Sequence, residues 1–269
     1  MYDNLPPVSD FIARHKLAAK KSLGQNFILD LNLTDKIARA VPNIGGRTVV
    51  EIGSGPAGLT RSLLKNGANV VAIELDPRAV GVLEELRMTY GDRIRIIAAD
   101  ALEVDYAEFQ GASLCANLPY NISIPLLVRW LHGGWFDDMT LMFQREVADR
   151  IVATSGKDYG RISILVALTY KARILFNVPG TAFSPPPKVR SAVVGFTRLP
   201  HRPTAAILRR VDEVVALAFQ GRRKMLRQSL KDWPLAVAGI DETLRPENLS
   251  PATWLKLAEH SLDIATNTP

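Results

Sequence analysis

Apolar residues follow two rhythms along this chain. Short β-branched runs at Thr48–Ile52, Asn69–Leu75, Arg93–Ala98, Ser113–Ala116 and Thr140–Phe143 read as strands. Between them, LTRSLLKNG and DPRAVGVLEELRMTYG repeat Leu, Val and Ala at helical spacing. Strand alternating with helix predicts a parallel sheet with right-handed crossovers and helices on both faces. Two more strands are expected at Lys171–Val178 and Ala192–Leu199. The turn-rich GTAFSPPPKVRS between them predicts a hairpin-like return with a long ordered loop. An antiparallel edge strand beside a parallel sheet is common. After Leu199 the strand rhythm stops. PHRPT reads as a linker, and VDEVVALAFQ, GRRKMLRQSLKDW and PATWLKLAEHSL read as short helices. Ser250 and Pro251 fit the cap and first turn of the last one. The expected division is an α/β domain over residues 1–200 and a small, helical, basic domain over 201–269.

Composition narrows the class. With 269 residues, 47% of them hydrophobic and 22% charged, the chain has ample material for a core, which argues against disorder. Cys115 is the only cysteine, so a disulfide framework is excluded and a reducing compartment is the default. No apolar run reaches the roughly 20 residues that span a bilayer. MYDNLPPVSDFIARH has no apolar core of a secretory signal, and Asp3 and Asp10 are unlike a transit peptide. A soluble, cytoplasmic protein without membrane contact is expected.

The net charge of +6 is unevenly placed. Eleven Lys or Arg lie between Pro186 and Lys231, opposed only by Asp212 and Glu213. A second knot comprises Arg14, His15, Lys16, Lys20 and Lys21. Clustered cations attract a polyanion, most often nucleic acid, although a solvated helix face has the same composition.

The first strand runs into Glu51-Ile52-Gly53-Ser54-Gly55-Pro56-Ala57-Gly58-Leu59-Thr60. Glycines at such a turn admit a ligand to the backbone and to the unpaired N–H groups of the next helix. A Walker A loop needs Lys and then Ser or Thr after Gly58, and Leu59-Thr60 fails that test. A dinucleotide fingerprint fits literally at Gly53, Gly55 and Gly58, yet the match is weak by itself. Glu74 closes the second strand 21 residues beyond Gly53, where a carboxylate can accept both ribose hydroxyls. Asp76 reads as the cap of the next helix. NAD and S-adenosylmethionine (SAM) both carry adenosine, so Glu74 does not separate them. Asp100, at the end of the third strand and suited to an adenine amine, favours SAM.

The fourth strand ends in Asn117-Leu118-Pro119-Tyr120, followed by Asn121-Ile122-Ser123. An exocyclic adenine amine is a poor nucleophile, because its lone pair is delocalised into the ring. Two acceptors on its hydrogens draw the nitrogen toward tetrahedral geometry and aim the lone pair at a sulfonium methyl. The Asn117 side-chain carbonyl can supply one such acceptor, and a backbone carbonyl at Leu118 or Pro119 can supply the other. Tyr120 offers a flat face to the base, stacking worth about 1–3 kcal/mol. The methylated amine sheds its proton readily, so catalysis reduces to positioning and electrostatics on a base flipped from its stack.

One ordered set of motifs now stands out: Lys21-Ser22-Leu23-Gly24-Gln25-Asn26-Phe27-Ile28, the EIGSG turn, IELD, NLPYNIS and Phe183-Ser184-Pro185-Pro186-Pro187-Lys188-Val189. Together they resemble the ribosomal RNA adenine dimethyltransferases, the KsgA (RsmA) family, over nearly the whole chain. The late FQGRRKMLRQSL is similar to that family's helical domain. The resemblance implies a Rossmann-like, SAM-dependent methyltransferase sheet with helices on both faces, plus a small C-terminal α-helical domain. It also implies SAM contacts from Asn26, Ile28 and Gly55, with Gly53 at the methionine end, Glu74 on the ribose and Asp100 at the adenine. By the same likeness Asn117 sits at the reaction centre beside the cofactor, and Phe183 stacks on the target base opposite Tyr120. The implied activity is dimethylation of two neighbouring adenines in a hairpin near the 3′ end of small-subunit ribosomal RNA. Lys20, Lys21, Arg222, Arg223, Lys224 and Arg227 are the candidate RNA contacts. The family often has glycine where Ala57 stands, which puts the backbone contacts of that turn in question.

Rival readings are a large-subunit adenine methyltransferase of the macrolide-resistance type, an idle RNA-binding or transcription factor, and an NAD oxidoreductase. The scattered histidines (His15, His132, His201, His260) predict no bound metal. Cys115 and the four tryptophans read as packing residues, and FQREVADRIVA reads as an amphipathic helix covering the sheet. No dimer seam is evident, so a monomer is expected.

Overall fold

The computed structural model describes residues 5–19, 25–187 and 189–266, with side chains given up to residue 262. In chain order the helices and strands are α1 (Val8–Arg14), β1 (Phe27–Ile28), α2 (Leu31–Ala38), β2 (Thr48–Ile52), α3 (Gly58–Lys65), β3 (Asn69–Glu74), α4 (Pro77–Tyr90), β4 (Ile94–Ala98), β5 (Ser113–Asn117), α5 (Tyr120–Gly133), β6 (Asp138–Gln144), α6 (Arg145–Val152), α7 (Arg161–Thr169), β7 (Tyr170–Val178), β8 (Phe183–Ser184), β9 (Ser191–Arg198), α8 (Ala205–Gln220), α9 (Leu226–Ser229) and α10 (Pro251–Thr266).

Seven strands form one sheet in the order β4-β3-β2-β5-β6-β9-β7. The pairs among β4, β3, β2, β5 and β6 are parallel, and β9 runs antiparallel to β6. Every residue of β2 and β3 after the first is buried, as strands covered on both faces require. The chain order reverses between β2 and β5, which opens a crevice at their carboxyl ends. The antiparallel strand is not the edge: β9 is inserted between β6 and β7, so the edge falls to β7. A second, two-stranded sheet pairs β1 with β8, Ile28 opposite Phe183 and Phe27 opposite Ser184. Strands of two residues are too short for a periodicity to reveal.

Local chemistry sets the helix starts. Asp30 accepts the Asn32 N–H and Asp76 the Arg78 N–H, while Thr204 caps α8 through Ile207. Ser250 Oγ accepts the Thr253 N–H at 3.1 Å, directly before Pro251.

The chain divides into two compact units, one of residues 1–127, 135–148 and 173–197, the other of 128–134, 149–172 and 198–269. The second unit is therefore not a simple tail beginning near residue 200: it also takes the end of α5, the end of α6 and all of α7. The physical reason lies in its core. Helices α7, α8 and α10 pack together, with Val211, Val214 and Val215 of α8 and Trp254 and Leu257 of α10 buried. Two amphipathic tail helices alone enclose little, and α7 supplies a third apolar face.

Candidate active site

A cleft opens at the carboxyl ends of β2, β3, β4 and β5, where the topology reverses. Its floor is the glycine turn. Gly53 and Gly55 adopt φ of 70° and 53°, a region open chiefly to glycine. A Cβ on Gly55 would lie 3.0 Å from the Phe27 ring, so the absence of a side chain lets β1 close over the turn. Ala57 holds φ 60° and ψ 22° as the cap of α3 and is buried. The turn survives the missing glycine, at the cost of a left-handed alanine of about 1–2 kcal/mol.

Acidic groups line the wall. Glu74 is buried, and its two carboxylate oxygens accept the N–H groups of Gly55 (2.9 Å) and Asp76 (2.8 Å). Both donors are backbone groups, so the carboxylate is rigidly aimed while keeping a second lone pair on each oxygen. Asp76 caps α4 as expected and also binds the Arg78 guanidinium at 2.6 Å, which holds its carboxyl down at about 2. Arg78 reaches on to the Lys16 carbonyl at 2.8 Å, tying the segment after α1 to the cleft wall. Asp100 lines the cleft with Oδ1 accepting the Leu102 N–H at 2.8 Å.

Glu51 is an acid that the motif reading passed over. It lies on the cleft with only 1% of its surface exposed, and burial pushes its carboxyl up to about 7, with the nearby Glu74 charge adding to the rise. Ser54 Oγ donates to it at 3.1 Å. The available signal was one carboxylate in the otherwise apolar strand Thr48–Ile52, directly before the glycine turn.

At the cleft mouth stand Asn117, Leu118, Pro119 and Tyr120. Asn117 Nδ2 donates to the Asn26 carbonyl at 3.2 Å, which leaves Oδ1 as the acceptor end of that amide. The Pro119 carbonyl takes the Ile122 N–H at 3.2 Å in the first turn of α5. Tyr120 meets Ser191 Oγ through its hydroxyl at 2.7 Å, and burial raises its phenol above the ordinary range. Asn26 and Ile28 line the same cleft, Ile28 buried. The structure thus gathers Asn26, Ile28, Gly53, Gly55, Glu74, Asp100 and the Asn117–Tyr120 tetrapeptide around one cavity. Phe183 is not on that wall. It is buried in the apolar cluster with Phe27 and Ile28, held there by the β1–β8 pairing.

The expected RNA contacts separate by environment. Lys20 and Lys21 lie outside the described residues. Arg223, Lys224 and Arg227 are exposed, with Glu242 at 4.0 Å from Arg227. Arg222 is engaged: it donates to Glu247 (2.8 Å), to the Gly156 carbonyl (2.8 Å) and to the Lys157 carbonyl. Its first task is to brace the loop before α7. Among the described residues no group of three or more His, Cys, Asp or Glu could hold a metal, and no helix is long and apolar enough to cross a membrane.

A doubly wound sheet with an acid-lined glycine cleft and an Asn-Leu-Pro-Tyr turn at its mouth defines a Rossmann-like methyltransferase. The family model for ribosomal RNA adenine dimethylase matches residues 16–261, and the chain belongs to that family. It is 49% identical to the ribosomal RNA small subunit methyltransferase A of Nitrobacter winogradskyi, over 98% of this chain and 97% of that one. The protein of the same description from Mesorhizobium japonicum is 49% identical, covering 95% and 98%. Among solved structures, a dimethyladenosine transferase from Plasmodium falciparum superposes with TM-score 0.72 at 25% identity, covering 88% of this chain and 97% of that one. The 23S rRNA methyltransferase ErmE superposes at 0.68 and 25%, covering 87% and 98%.

Proposed function

We propose that this chain transfers methyl groups from SAM to the N6 atoms of two adjacent adenines in the 3′-terminal hairpin of small-subunit ribosomal RNA, two methyls to each. It acts as a cytoplasmic monomer on the immature small subunit. The carrying observation is the anchored Asn117 amide, whose Nδ2 donates to the Asn26 carbonyl and leaves Oδ1 as its acceptor end. Two full-length relatives bear the name of a small-subunit methyltransferase, which favours that RNA over the large-subunit target of ErmE.

The cleft residues fit SAM. Glu74, aimed by two backbone donors, would hold the ribose hydroxyls, Asp100 the adenine amine, and the Gly53–Gly55 turn with Asn26 and Ile28 the methionine end. When bound, SAM supplies an electrophilic methyl on a sulfonium. Asn117 Oδ1 and the Leu118 carbonyl accept the two N6 hydrogens; the Pro119 carbonyl already serves the α5 turn, which favours Leu118 for this role. Tyr120 carries the base on its ring face. After the first transfer one N6 hydrogen remains, so one acceptor loses its partner and the amine turns about its ring bond. Arg223, Lys224 and Arg227 bind phosphates.

Methyl-labelled SAM incubated with under-methylated small and large subunits tests the proposal. Labelled dimethyladenosine from the small subunit alone is expected. Label confined to the large subunit assigns the resistance-type activity, and no label despite SAM binding assigns an idle RNA-binding factor.

A further inference from the structure

We infer that Ser191 is a positioning residue for base recognition, its hydroxyl setting the tilt of the Tyr120 ring before the adenine arrives. The inference rests on the reading of Tyr120 as the stacking platform. Ser191 opens β9 opposite Gln144, beside the apolar run Ala192, Val193 and Val194, and has no exposed surface. A buried hydroxyl there costs free energy unless it is partnered, and alanine would suit the packing equally well. Its partner is Tyr120 Oη at 2.7 Å, 71 residues away in sequence.

The geometry pins the ring at both ends. Ser123 Oγ donates to the Tyr120 carbonyl at 3.0 Å in the first turn of α5, which fixes the backbone. Ser191 then fixes the far end of the side chain. Its own position is set by the strand register and by the Arg145 N–H, which donates to the Arg190 carbonyl at 2.8 Å. The Tyr120 hydroxyl thus belongs to the protein rather than to the substrate. Burial keeps the phenol protonated, so it is no base, and the ring face is what it presents to the adenine. A platform held in advance saves the cost of ordering that side chain when the base docks, a factor of about 2 to 10 in affinity.

The full-length protein tests this with two readouts. On under-methylated small subunits, Ser191→Ala and Tyr120→Phe should each lower kcat/KM by about 2- to 10-fold while SAM affinity stays unchanged. The double variant should be no worse than either single one, because both remove the same bond. Losses that multiply, or losses below twofold, overturn the inference. Tyr120→Phe leaves Ser191 in place and so still decides the matter if Ser191→Ala folds poorly. The second readout is a hairpin RNA with 2-aminopurine at the target adenine, bound at saturation. Stacking on Tyr120 quenches its emission, Tyr120→Ala restores it, and Ser191→Ala should restore part of it. Restoration by Tyr120→Ala with none by Ser191→Ala sinks the role of Ser191 alone. No restoration by Tyr120→Ala sinks the stacking reading itself.

Discussion

Replacing Glu51 by Gln should make the protein more stable in mild alkali and leave that gain absent in acid. Glu51 is 1% exposed, and burial lifts its carboxyl from 4.5 to about 7. The folded state thus binds a proton more tightly than the unfolded chain does. A raised folded value contributes stability that is complete below the unfolded value of 4.5 and is lost as pH climbs through about 7. A rise from 4.5 to about 7 corresponds to about 3 kcal/mol. Gln cannot ionise and escapes that loss. The stability difference between variant and parent should therefore grow by about 3 kcal/mol between pH ~4.5 and pH ~8. Urea titrations without cofactor at several pH values measure it, and thermal scans should show the gap widening by roughly 6–12 °C. A difference that stays flat across that range would refute the argument, since a packing or hydrogen-bond effect of Gln has no reason to titrate. Glu51 also lines the cleft proposed for SAM, whose sulfonium carries a positive charge. Glu51→Gln should accordingly weaken SAM binding near pH 8 more than near pH 5, where the parent is itself neutral.

Three further outcomes are expected. Asn117→Ala should keep SAM affinity within a few-fold yet cut methyl transfer by about 10²–10³, the cost of losing one preorganised hydrogen-bond partner; weakened SAM binding with normal turnover contradicts its role. Ala57→Gly relieves about 1–2 kcal/mol of left-handed strain but loses about 0.8 kcal/mol of buried methyl and about 0.5–1 kcal/mol to chain entropy, so the urea midpoint should move by less than the equivalent of about 1 kcal/mol; a larger fall rules out strain at the turn. Arg222→Ala should depress Tm through its lost carbonyl and Glu247 contacts with little change in the salt dependence of RNA binding, whereas Arg223→Glu with Lys224→Glu should flatten that dependence by about one unit per lost phosphate contact and spare Tm. Equal behaviour of the two sets would erase the distinction between brace and contact.

Much of this protein is written in local pattern. The strands at 48–52, 69–74, 94–98 and 113–117 lie within a residue or two of the apolar runs, because burial favours apolar residues in β2, β3 and β5, while β4 at the sheet edge is partly exposed and admits Arg95. The glycine turn, the Asp76 cap and the Asn-Leu-Pro-Tyr turn are equally legible, since each depends on backbone angles and partners within a few residues. Contacts between distant segments were a matter for the tertiary structure. Asn117 takes its orientation from the carbonyl of Asn26, Tyr120 from Ser191, and Phe183 is buried through a two-residue pairing with Ile28. Arg222 reads as one more cation in a basic run until Glu247 and the Gly156 carbonyl are seen to hold it. Likewise α7 reads as part of the α/β stretch, yet it completes the core that α8 and α10 leave open. Periodicity reports which face of an element is buried. Which distant group meets that face depends on how the chain crosses itself, and one sequence carries no periodic signal of that.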